Sequence, residues 1–168
     1  VNIVAWLATT VSGGSENPEV LLDFGAMFAP LVSNGEYWRL FTTMFLHVGL
    51  AYLVFNSFGL LIFGTLMERA FGHVKFLIVY VLAGLFGSVA SYIFNSIVTL
   101  AGVSVAIVGV KAGASGAIFG VLGALGAFFV MQRETSGRVG QRNLIGVLFL
   151  AAINLLYGVV TPGIDNWA

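Results

Sequence analysis

The sequence predicts an all-α polytopic membrane protein, and three observations carry that prediction. Of 168 residues, 59% are hydrophobic and only 8% charged, where a soluble domain carries roughly 25% charge. Mean hydropathy is +1.01. Apolar segments of about 20 residues recur along the chain without the period-two alternation of a membrane barrel. Seven basic and seven acidic residues cannot coat a globule of this size, which excludes an ordinary soluble domain and a disordered chain. With no basic face, nucleic-acid binding is excluded as well. The length fits one domain, 1–168, with room for about five spans. Cysteine is absent, so there is no disulfide framework, thiolate metal site or cysteine nucleophile.

The elements follow in order. Residues 1–11 are apolar but too short to span. The opening VNIVAWLATT has no basic region before it, so it is not a cleavable signal; it reads as the tail of a helix. A long first loop covers 12–46. Within it, Asn17-Pro18-Glu19 is a helix start: a cap residue, then proline, then an acid. The aromatic segment EYWRLFTTMFLH further along the loop suits the membrane interface. Spans are predicted at about Leu50–Met67, Lys75–Asn95, Ser115–Met131 and Asn143–Val160. The loop 96–114 has one charge, Lys111, and is apolar enough to dip into the bilayer where protein shields its backbone. The chain's 22 glycines cluster within apolar segments, where small residues let helices approach closely.

Charge predicts orientation. Arg69 and Lys75 lie in 68–75, and Arg133, Arg138 and Arg142 in 132–142; together these are five of the seven basic residues. The positive-inside rule places both loops in the cytoplasm. Ser115 is then expected near the external face, with His47, while His73 lies on the opposite side. A core roughly 30 Å thick bars His73 from acting as the base of Ser115.

Ser115 begins a helix within Gly113-Ala114-Ser115-Gly116. Free N–H groups at a helix N-terminus can bind a developing oxyanion; equally, such a serine can be a cap among packing glycines. His47 could be a base, an oxyanion donor or an interfacial side chain. Asn56 lies well below the surface, where an amide needs partners, and Tyr52 shares its face at i−4. Either they make an interhelical hydrogen bond or they form a polar cluster facing Ser115. Trp38-Arg39 reads as an aromatic anchor with a snorkelling arginine. Glu68-Arg69 reads as a local ion-pairing or loop-bonding group closing the second helix.

Four pieces in sequence resemble the rhomboid intramembrane serine proteases: GEYWRLFTTMFLH with its Trp38-Arg39 pair, His47 through Asn56 and on to GTLMERAFG, GASGAIFGVLG, and GIDNWA. The resemblance spans nearly the whole chain. It implies a rhomboid-like bundle of six core helices, about five of them present here, in a domain truncated at both ends. It implies Ser115 as nucleophile, with a histidine base on a sixth helix after Ala168. His47, Asn56, Tyr52 and Gly116 are assigned to oxyanion stabilisation, with the backbone N–H of Ser115. Trp38, Arg39 and Glu68 are assigned structural roles. Tyr52 stands where the family often has histidine, so Tyr52→His is expected to keep or raise activity. The implied function is endoproteolysis of single-span membrane proteins in the lipid bilayer, with no cofactor and no metal. The implied location is a multi-pass protein of a cell membrane, its site facing outward. A non-catalytic relative that binds membrane clients is the alternative. A transporter or channel fragment is disfavoured because no charge lies inside the spans.

Overall fold

A computed structural model of the chain describes residues 1–100 and 109–131, with the isolated positions 145, 146, 149 and 152; of 98–100 only the backbone is described. The expected fifth span, the loop 132–142 and GIDNWA lie outside the described residues.

Helix α1 spans Asn2–Val11. The first loop is built from short helices. The predicted start at Asn17 opens α2, Pro18–Asp23, where Asn17 Oδ1 accepts the Glu19 N–H at 3.0 Å. Two further short helices, α3 (Ala29–Ser33) and α4 (Arg39–Thr42), lead into a 3₁₀ turn at Thr43–Phe45. Helix α5, Gly49–Gly59, passes through a π-helical turn at Leu60–Gly64 into α6, Thr65–Phe71. These join into one apolar rod, Gly49–Phe71, which extends the predicted span at its C-terminal end.

Helix α7 spans His73–Leu100, longer than predicted at both ends, and α8 spans Ser115–Met131 as predicted. Gly49–Phe71 and His73–Ile97 are each long and apolar enough to cross a bilayer. At 1.5 Å per residue the described part of α8 is about 25 Å long.

The core lies where α5, the π turn, α6 and α7 surround α8. Phe63, Met67 and Tyr80 pack there against Ala117, Ile118, Val121 and Leu125. Leu61, Leu77, Phe86 and Ile93 point outward, as suits helices solvated by lipid tails. Close contact between α7 and α8 rests on Gly120, where a Cβ would overlap that of Ala83. Gly120 meets α7, whereas Gly123 meets open space among the described residues. Helix α7 also buries polar residues: Ser88, Ser91 and Asn95 are all less than a tenth exposed. Asn95 Nδ2 donates to Ser91 O at 2.7 Å and to Ser91 Oγ at 3.2 Å.

Candidate active site

Ser115 is the first residue of α8. The loop before it is tied to the first loop by backbone and side chain. Met27 N–H donates to Lys111 O at 3.0 Å and Lys111 N–H donates to Met27 O at 2.8 Å, an isolated antiparallel bridge. Thr43 Oγ1 donates to Lys111 O at 2.5 Å, and Gly113 N–H donates to Thr43 O at 3.0 Å. The serine thus leaves a pinned loop and enters a helix whose first-turn N–H groups have no intrahelical acceptor.

Tyr52 reaches Ser115 from α5. Its hydroxyl donates to Ser115 Oγ at 2.8 Å. Asn56, one turn further on, donates from Nδ2 to the Tyr52 carbonyl at 2.9 Å, so one amide hydrogen serves its own helix. The His47 ring packs against that of Tyr52, with centroids 5.8 Å apart at 54°. His47 is fully buried, and among the described residues neither ring nitrogen meets a partner at hydrogen-bond geometry. Burial lowers its pKa from 6.5 to about 4; the Phe45 backbone opposes that effect without offsetting it. The imidazole is therefore neutral at physiological pH.

Beside Ser115 lies a small cavity of about 20 Å³, lined by Thr43, Tyr52, Ser88, Ser91 and Lys111 among others. That is room for about one water. His47 and Asn56 do not line it. Thr43, Ser88 and Ser91 were not singled out from the sequence. The available signal was a pair of serines three apart on one face of a spanning helix, since polar groups in such segments need partners. A larger cavity, about 520 Å³, lies between α1, the α5–α6 rod and α7. It is apolar and does not include Ser115. Among the described residues no three His, Cys, Asp or Glu side chains cluster to hold a metal.

Comparison with known proteins bears on this geometry. The Rhomboid domain family matches residues 34–168. This chain belongs to the rhomboid family. Rhomboid protease GluP of Bacillus subtilis is 39% identical over 166 residues, covering 99% of this chain and 30% of that protein. RHOMBOID-like protein 6, mitochondrial, and RHOMBOID-like protein 1, both of Arabidopsis thaliana, are 34% and 36% identical over 82% of the chain. The chain spans 41% and 32% of their respective lengths. Rhomboid membership and the two spanning helices make this an integral membrane protein with a helical fold.

The rhomboid match takes in Trp38 and Arg39, and here one expectation is corrected. Arg39 does not snorkel to the surface. It is buried, donating from Nη1 to Leu22 O at 2.6 Å and Ala26 O at 3.2 Å, and from Nε to Glu36 Oε2 at 2.7 Å. The short helices of the first loop leave carbonyls pointing inward, and the guanidinium fork is shaped to collect them. Trp38 is half exposed, with the guanidinium 4.6 Å from its ring centroid. At the far end of the α5–α6 rod, Glu68 Oε1 contacts His73 Nδ1 at 2.9 Å. Sixteen residues separate Tyr52 from Glu68, about 24 Å along a helix, so His73 and Ser115 lie at opposite ends.

Proposed function

We propose that this rhomboid is an intramembrane serine endopeptidase that cleaves single-span membrane proteins, with Ser115 as nucleophile. The observation that carries this reading is the setting of Ser115: a helix N-terminus inside an apolar bundle, its Oγ held by a hydrogen bond from a buried tyrosine. A serine that only capped its helix would need no such partner.

Ser115 Oγ attacks the scissile carbonyl, and the C–N bond breaks to give an acyl-enzyme. A histidine, which the resemblance places after residue 168, takes the serine proton and passes it to the leaving amine. Water then hydrolyses the ester with that histidine as base. The N–H groups of Ser115 and Gly116, with the Asn56 amide, stabilise the oxyanion, while the Tyr52 hydroxyl beside them gives its one hydrogen to Ser115 Oγ. His47 serves this region from behind, as the wall against which the Tyr52 ring packs. The charge distribution supports a cell membrane with the site facing outward.

The test uses the full-length protein in detergent or proteoliposomes. A fluorophosphonate probe should label Ser115, and a single-span substrate should be cut. Ser115→Ala should abolish both. Labelling that survives Ser115→Ala would overturn the assignment. Absence of both activities in the wild type would favour a client-binding relative.

A further inference from the structure

We propose that Tyr52 is a positioning residue for Ser115, reaching the serine through space that a side chain at Gly113 would close. This deepens the proposed function and rests on Ser115 being the nucleophile.

A serine side chain has three staggered rotamers, and only one aims Oγ at a substrate carbonyl while aiming its proton at a base. Tyr52 selects among them. Its hydroxyl donates to Ser115 Oγ at 2.8 Å, which occupies one lone pair and leaves the serine hydrogen free to be given away. The tyrosine is itself fixed. It is 6% exposed, its carbonyl takes the Asn56 amide at 2.9 Å, and His47 lies against its ring.

The phenol reaches the serine only because Gly113 leaves the space open. A Cβ at 113 would stand 2.5 Å from Tyr52 Oη, 2.6 Å from Cε1 and 2.9 Å from Cζ. The loop cannot slide aside to make room, since Gly113 N–H is held by Thr43 O at 3.0 Å and Lys111 is bridged to Met27. Two of the three crowded atoms, Oη and Cζ, have no counterpart at the same reach in a histidine, whose smaller ring ends short of the phenol oxygen. From the same Cα, an imidazole would leave Ser115 Oγ without this donor. The structure therefore reverses the direction expected from family position alone: Tyr52→His by itself should weaken the site.

Tyr52→Phe in the full-length protein removes the hydroxyl and keeps the ring. Labelling of Ser115 by a fluorophosphonate and kcat on a single-span substrate should fall together by about tenfold, the scale of one neutral hydrogen bond. KM and the unfolding temperature should stay near wild type, a split that a purely structural role would not produce. A double-mutant cycle tests the pairing. Gly113→Ala should cost at least fivefold more activity with tyrosine at 52 than with histidine, the backbone strain of a side chain at the φ of +154° that Gly113 adopts being common to both arms. Should Tyr52→Phe fail to fold, this cycle decides alone. Wild-type labelling and kcat in Tyr52→Phe, or equal costs of Gly113→Ala in both backgrounds, would overturn the proposal while leaving Ser115 as nucleophile. No labelling of Ser115 in the wild type would remove the proposed function and this role with it.

Discussion

Acid should destabilise this protein through one residue, His47. Its ring is fully buried, its nitrogens meet no partner at hydrogen-bond geometry among the described residues, and burial, only partly opposed by the Phe45 backbone, lowers its pKa from 6.5 to about 4. The sign follows from proton counting. Between pH 6.5 and pH 4 the unfolded chain binds a proton at this position and the folded chain does not, so stability rises with pH across that window. It is fully present above about pH 7 and is lost as pH falls toward the folded value. At about 1.4 kcal/mol per tenfold difference in proton affinity, the loss by pH 4 comes to about 3 kcal/mol. For a chain of this size that is a fall of about 6–12 °C in Tm. The comparison is with His47→Phe, which keeps an aromatic ring and cannot titrate. Carboxylates titrate in both proteins and cancel in the difference. Intrinsic fluorescence melts in detergent micelles from pH 8 to pH 4 should show the wild type losing the additional increment. At pH 8 the variant should be as stable as the wild type or more so, since the unpartnered ring nitrogens cost free energy. Parallel pH profiles for the two proteins would refute the reasoning.

Arg39→Ala should cost about 2–4 kcal/mol, because it strands the Leu22 and Ala26 carbonyls in a buried loop; Arg39→Lys should recover only part, and denaturant melts in micelles measure both. Gly120→Val should cost about 1–3 kcal/mol by forcing α8 away from Ala83, whereas Gly123→Val, where a Cβ meets open space among the described residues, should cost far less. Asn56→Ala should lower kcat, by about 2.7–4 kcal/mol in barrier if its second amide hydrogen serves the oxyanion; an unchanged kcat in the full-length enzyme refutes that role.

The spans Gly49–Phe71 and His73–Ile97 were legible because hydropathy and length are one-dimensional properties. The start of α8 at Ser115 was placed to the residue, since Gly113 marks it. The start of α2 was equally legible, because Asn17, Pro18 and Glu19 each satisfy a local requirement. The fate of Arg39 was not. Whether a guanidinium snorkels or turns inward depends on carbonyls 13 and 17 residues earlier in the chain, and no periodicity encodes them. The same limit applies to Ser88 and Ser91. They read as ordinary small residues of an apolar helix until α7 and the Lys111 loop are brought around Ser115.

The first loop does more than sit in the interface. Arg39 collects Leu22 O and Ala26 O, which sets the course of the chain immediately before Met27. Met27 then bridges Lys111, and Thr43 bonds to both sides of that junction, accepting from Met27 N–H at 3.3 Å and donating to Lys111 O at 2.5 Å. Lys111 and Gly113 are four and two residues before Ser115. A rigid path of hydrogen bonds therefore runs from a buried cation to the loop that presents the serine. Each bond on it is modest alone. Their sum fixes the loop against α5, and only with the loop fixed can Tyr52 meet Ser115 at 2.8 Å. Reactivity at Ser115 should accordingly be sensitive to a loop whose residues never touch the serine, because a displacement of about 1 Å at a reacting group can cost about a hundredfold in rate.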